Sequence, residues 1–215
     1  DKQFDTFSLE WIDVTPQNIS TMEPIFRKLE PISRAAFKEI EIKLLVEQTK
    51  IEEDKAREMV EEKAKSSSWE RFPEFLGMLF KEGLEKVPFA IIKNSQSDIL
   101  GFAYFLLIPQ KTMLETGNVK EMHWLKEGRK AATPDSEAYV ASIAVDPKYQ
   151  GYGFGKKLLF SILSYMPQIQ KITLSTWASR LNQKTQNFYK HCGFECIAAY
   201  LNDDDEERFM YEFNR

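Results

Sequence analysis

Residues 138–176 constrain the fold of this chain more than any other stretch. They read as a strand, "AYVASIAV" (138–145), a glycine-rich turn, "DPKYQGYGFG", a helical pattern over 155–166 and a second strand, "KITLST" (171–176). A β-α-β order of this kind calls for a sheet that accepts a crossover connection. The other strands come in hairpins. Phe89–Lys93 and Ile99–Ile108 flank the polar turn "NSQSD", and "ECIAAYL" and "RFMYEF" flank the acidic run Asp203–Glu207. A second helix is expected over 182–191. A hairpin-rich first half and a β-α-β second half predict a mixed α/β domain built on one central sheet flanked by helices.

Ahead of these elements, "FSLEWIDV" (7–14) alternates as a first strand and "TPQN" follows as a turn-and-cap signal. Helix formers dominate 33–65, with Phe37, Ile40, Leu44 and Ile51 near one face. The pairs Glu39–Lys43 and Glu53–Arg57 support the other face. Seven basic and nine acidic residues between 38 and 65 nearly cancel, as on a solvated helix face. "SSSW" (66–69) breaks the pattern, and "RFPEFLGMLFKEG" (71–83) predicts a further helix. Residues 109–135 are weakly patterned and read as one long connection, a candidate lid.

With 215 residues, 43% hydrophobic and 29% charged, the chain can bury a core without disulfides. A net charge of -4 argues against a nucleic-acid partner, which would need a clustered basic face. No apolar run approaches the ~20 residues that span a bilayer, so no membrane association is expected. Cys192 and Cys196 are the two cysteines, His123 and His191 the two histidines. Their spacing matches no familiar metal-ligand pattern. The expectation is a reducing, cytoplasmic setting with no metal and no disulfide framework. The chain begins at Asp1 rather than Met, which leaves room for a segment upstream.

The glycine segment invites three explanations. A phosphate-binding P-loop needs G-x-x-x-x-G-K-[ST]; Gly151 to Gly155 is one residue short, and Lys157 stands where the hydroxyl would be. A dinucleotide fingerprint needs G-x-G-x-x-G, and neither Gly151 nor Gly153 starts one. The third explanation is physical. The strand ends at Val145, Pro147 stops it, and the turn enters a helix whose first amides lack intrahelical partners. Glycines let that backbone approach a ligand, and the amides, the helix dipole, Lys156 and Lys157 together would suit a pyrophosphate. A tight turn with solvated lysines explains the residues equally well.

Gln150-Gly151-Tyr152-Gly153-Phe154-Gly155 resembles the (Q/R)-x-x-G-x-(G/A) acetyl-CoA-binding motif of the GCN5-related N-acetyltransferase (GNAT) superfamily. Asn182, Phe188-Tyr189 and Gly193-Phe194 resemble that family's "N-x-x-A-x-x-F-Y-x-x-x-G-F" helix, with Thr185 at the usual alanine. The resemblance covers about 138–213, and the 89–108 hairpin fits it more loosely. Residues 20–85 and 109–135 fall outside it, the former as a helical insertion after the first strand. It implies a mostly antiparallel mixed sheet in which the strands 138–145 and 171–176 splay apart, and a single acetyltransferase domain over 1–215.

The resemblance also implies a reaction: direct transfer of acetyl from acetyl-CoA to an amine in a ternary complex. Backbone groups of Ile143, Ala144 and Val145 would polarise the thioester carbonyl, as preorganised N–H donors do for a developing oxyanion. Gln150, Gly151, Tyr152, Gly153, Phe154, Gly155 and Lys156 would hold the cofactor. Tyr189 would meet its sulfur and protonate the leaving thiolate. Glu137, thirteen residues before Gln150, is the expected general base, with Asp135 next. Asn182 would bond the pantetheine arm or cap its own helix.

The acceptor is less legible. Asp203–Glu207 could attract a polyamine, an aminoglycoside or a lysine-rich peptide, although a solvated hairpin loop is the plainer account. Trp69, Phe72, Phe75, Phe80, His123 and Trp124 could line an acceptor pocket or simply form core. An acetyl-CoA-binding module without transfer activity is the alternative. A homodimer is possible, since members of the superfamily often form one.

Overall fold

In the computed structural model, which describes residues 6–107, 119–126 and 136–215, the alternating first segment forms β1 (Ser8–Val14). Three helices follow: α1 (Glu23–Thr49), α2 (Glu53–Ser66) and α3 (Arg71–Lys81). Then come β2 (Val87–Lys93), β3 (Ile99–Leu106), β4 (Val119–Trp124) and β5 (Glu137–Val145). The second half continues with α4 (Phe154–Tyr165), β6 (Lys171–Trp177), α5 (Gln183–His191), β7 (Glu195–Asn202) and β8 (Glu207–Asn214). The strands form one sheet in the order β1-β2-β3-β5-β6-β8-β7-β4. The β5–β6 pair is parallel, as the helical crossover requires. The pairs β1–β2, β2–β3, β4–β7, β6–β8 and β7–β8 are antiparallel. This is the mixed α/β sheet expected from the sequence.

The chain clusters into two compact units, Asp1–Tyr104 with Ser142–Ser161, and Phe105–Ala141 with Ile162–Arg215. In the first, β2 and β3 are buried nearly throughout, and Phe26, Leu29, Phe72, Leu76, Phe89 and Phe102 fill the core. Phe26 stacks on Phe72 at 5.4 Å and Phe89 on Tyr104 at 4.6 Å. Phe72, considered for a pocket wall, is therefore core.

The expected helical stretch 33–65 is two helices. Lys50 adopts a left-handed φ of 57° and ends α1, which begins ten residues earlier than expected, with a proline in its first turn. Ile42, Ala56 and Val60 seal the α1–α2 contact. Glu39, expected to pair along its own helix, instead reaches across to Arg57 of α2 (2.9 Å), and Lys38 to Glu61 (2.7 Å). Glu30 is buried and meets Arg71 of α3 at 2.6 Å, with the Ser67 hydroxyl donating to it.

In the second unit, α5 packs its aromatic residues on β8: Tyr189 lies 5.9 Å from Tyr211, and the adjoining Phe194 lies 5.6 Å from Phe213. The stretch expected to be a connection holds β4, paired with β7 from Val119↔Asn202 to Trp124↔Ala198. Its polar sequence, "VKEMHW", hides it because it sits at the sheet's end with most side chains exposed. The rest of the expected lid, residues 109–118 and 127–135 with Asp135, lies outside the described residues.

Candidate active site

The turn from β5 into α4 belongs to the first unit. Asp146 donates its backbone N–H to Leu100 O (2.8 Å), tying the end of β5 to β3. Its side chain accepts from the Lys148 N–H (2.9 Å), capping a short 3-10 turn over Pro147–Tyr149. Gly151 and Gly153 then adopt φ of 87° and 82°, and a Cβ on either would meet nothing within 4 Å. Glycine is needed here for backbone conformation, not for room within the protein.

Gly153 O accepts from the Lys157 N–H (3.1 Å), so Gly153 caps α4 and the amides of Phe154, Gly155 and Lys156 are its unpaired first turn. Phe154 is buried and packs edge-on against Phe7 at 4.7 Å, anchoring the helix start. Tyr152 stacks on Phe154 and is exposed, as are Gln150, Lys156 and Lys157. Ile143 and Val145 are half-buried and Ala144 is buried.

Sequence reasoning passed over Gly101 of β3. A Cβ there would lie 3.0 Å from Ala144 O and 3.3 Å from Val145 Cα, so only glycine lets β3 approach β5 this closely. The signal was present as a lone glycine within an apolar strand.

The remaining candidates sit in the second unit. Asn182 precedes α5 but makes no side-chain cap, which corrects that expectation. Its Nδ2 instead donates to Thr176 Oγ1 (2.8 Å) and Trp177 O (3.0 Å). Gln186, one turn on and not anticipated, donates to Trp177 O and Ser179 O, both at 3.0 Å. Two amides on one helix face thus clasp the end of β6.

Tyr189 is buried among Phe188, Phe194 and Tyr211. Burial, helped by neighbouring Cys192, pushes its phenol well above the ordinary range, so it is a proton carrier throughout neutral pH. Glu137 opens β5 at 1% exposure, with Lys171 as its register partner. It is not the solvated strand-end glutamate that its position alone would suggest. The parallel ladder it begins has three pairs and stops at Tyr139↔Thr173, whereas β6 stays paired to β8 through Trp177↔Arg208.

The acidic run proves to be a hairpin tip. Asn202 Oδ1 accepts from the Asp204 and Glu206 N–H groups, Glu206 accepts from Asn202 Nδ2, and Asp205 pairs with Lys120 (2.8 Å). Among the described residues, no group of three or more His, Cys, Asp or Glu could hold a metal ion, and no helix is long and apolar enough to cross a membrane.

The first unit thus holds a strand, a left-handed glycine turn and a helix N-terminus, and the second an amide-clasped helix bearing a buried tyrosine, on a mixed α/β sheet. The acetyltransferase (GNAT) family model matches residues 49–194, more than half of the chain, and the chain belongs to this family. A curated relative, mycothiol acetyltransferase of Propionibacterium freudenreichii subsp. shermanii, is 26% identical over 85 residues. That match takes in 40% of this chain and 27% of the relative, so the chain spans only about a quarter of that protein. PaiA N-acetyltransferase from Thermoplasma acidophilum, solved with coenzyme A, is 16% identical. The match covers 97% of this chain and 99% of that one at a TM-score of 0.51, a likeness of fold. The ribosomal-protein-S18-alanine N-acetyltransferase of Escherichia coli is 14% identical over 96% of this chain and 95% of its own, at a TM-score of 0.48.

Proposed function

We propose that the chain is an acetyl-CoA-dependent N-acetyltransferase, acting as one domain over 1–215, that transfers acetyl directly to a primary amine. The observation that carries this is the β5–loop–α4 turn. Two left-handed glycines facing open space lead straight into unpaired helix amides, on a sequence matching the family's donor motif. The first-turn amides of α4, Gly151, Gly153 and Lys156 hold the diphosphate of CoA. The exposed Gln150 and Tyr152 border it.

The amine nitrogen attacks the thioester carbonyl, and the oxyanion that forms draws on backbone groups of Ile143, Ala144 and Val145. Collapse breaks the C–S bond, and the thiolate takes its proton from Tyr189. The amine's proton leaves to Glu137. A phenol raised by burial is a weak acid in water, but a thiolate in the same surroundings is raised as well, which keeps the transfer feasible. Asn182, with both Nδ2 hydrogens engaged, offers only its Oδ1 to the pantetheine arm.

The test is calorimetric titration of acetyl-CoA together with thiol release over a panel of amines, for the native chain and Tyr189→Phe. Binding with amine-dependent thiol release supports the proposal. Binding with no turnover on any amine, and no effect of Tyr189→Phe, would favour a cofactor-binding module without transfer.

A further inference from the structure

One face of the second unit's sheet holds a grid of side chains that the donor site does not use. Trp177, Arg208, Tyr200 and Met122 are successive Cα partners across β6, β8, β7 and β4. The next row on that face is Ser175, Met210, Ala198 and Trp124. The row after it contains Tyr139, Thr173 and Glu212, and then come Glu137, Lys171 and Asn214. Strand alternation puts these residues on one side of the sheet. Tyr189 packs on Tyr211, whose neighbours Met210 and Glu212 point to the grid, so α5 covers the opposite face.

The charges on this face are unevenly used. Glu212 is buried and takes Lys126 at 3.1 Å and Lys171 at 3.3 Å, while Lys126 also holds Glu195 at 2.7 Å. Both lysines are therefore spent on carboxylates. Arg208 is different: its guanidinium lies 5.3 Å over the Trp177 ring, and no carboxylate pairs with it among the described residues. It is half-buried, as are Tyr139, Ser175, Trp177 and Tyr200 around it. The Ser175 hydroxyl stands beside the Tyr139 phenol, and buried Thr173 Oγ1 has no hydrogen-bond partner among the described residues. A cation over an indole, on a face that also carries the hydroxyls of Tyr139, Ser175 and Tyr200 and without a carboxylate partner among the described residues, is built to receive an anion.

We infer that Arg208, with the hydroxyls of Tyr139, Ser175 and Tyr200, binds the carboxylate of the acceptor, which is a small amine carrying a carboxylate of the amino-acid type. The inference rests on the N-acetyltransferase reading. A carboxylate fits better than a phosphate, because a doubly charged group would ask for a second free cation and both lysines on this face are engaged. A polyamine fits worse, because buried Glu212 on this face is already neutralised by two lysines and Arg208 would repel it. Glu137 shares this face, which puts the proposed base on the acceptor's side of the sheet.

The experiment compares amino acids with their carboxamides and with polyamines as acceptors, by thiol release, in the native chain and in Arg208→Gln, Arg208→Lys and Ser175→Ala. Amino acids should be preferred. Arg208→Gln should raise their KM about 10- to 100-fold, the worth of a charge-assisted pair, with kcat and the KM of the carboxamides little changed. Arg208→Lys should recover part of the loss, and Ser175→Ala should give a smaller rise with no change in melting temperature. Equal or better turnover of carboxamides or polyamines would overturn the inference while leaving acetyl transfer standing. If no amine is acetylated, titration of N-acetyl amino acids against their amides decides: binding that needs Arg208 retains the anion site, and its absence removes it.

Discussion

Tyr189 combines a phenol, burial and an aromatic nest, so substitution by phenylalanine removes one oxygen and little packing. Tyr189→Phe should lower kcat about 100-fold or more, the usual worth of a positioned proton donor, with acetyl-CoA affinity nearly unchanged. The pH consequence follows from direction. Burial raises Tyr189, and raises Tyr211 to about 12, with Cys196 contributing to the latter. Unfolded tyrosine titrates near ~10. The folded state thus holds these protons more tightly, so the stabilisation is full below that value and fades as pH climbs through the folded values. Alkaline unfolding, followed by phenolate absorbance and circular dichroism together, should begin above about pH 10. Phenolate absorbance belonging to Tyr189, read as the difference between the native chain and Tyr189→Phe, appearing well before loss of secondary structure would contradict it. Gly153 gives a second single-atom test. A side chain at φ 82° is strained by roughly 1–2 kcal/mol, and it would face open space. Gly153→Ala should therefore weaken acetyl-CoA binding about tenfold in calorimetry and lower the melting temperature by only about 2–8 °C, the worth of that strain.

At the scale of elements, Gly101 carries the clearest expectation. A methyl group 3.0 Å from Ala144 O presses on backbone, which cannot swing aside as a side chain can. Gly101→Ala should cost about 1–3 kcal/mol in a denaturant melt, as overpacking does, and should also weaken acetyl-CoA, because β5 leads directly into the glycine turn. Loss of stability with binding intact would separate β3 from the donor site. The elements also show where sequence was informative. The β-α-β crossover, both hairpins and the glycine turn were legible because periodicity, proline and glycine act locally. β4 was not, since an exposed end strand needs no apolar alternation. The break at Lys50 was hidden too, because a left-handed lysine leaves no compositional trace. Within the site, the motif residues could be named, but the fate of Asn182's amide, the clasp by Gln186 and the engagement of Lys171 with Glu212 depend on partners distant in sequence.

At the scale of the whole molecule, the two compact units are not independent lengths of chain. Their division falls inside β3, β5 and α4, so each of these elements supplies residues to both units. Unfolding either unit removes part of a strand or helix that the other needs, which argues for one cooperative transition rather than two. A ligand that binds only the folded state then stabilises the entire chain by mass action. At a hundredfold excess over its dissociation constant, acetyl-CoA should add about 2.7 kcal/mol. For a chain of this size that corresponds to a rise of about 5–10 °C in a single melting transition. Gly153→Ala should shrink the rise at fixed ligand concentration, and Tyr189→Phe should leave it nearly intact, since the proposed site puts the diphosphate on the glycine turn and not on the phenol. Two transitions, of which acetyl-CoA moves only one, would show that β3, β5 and α4 do not couple the units.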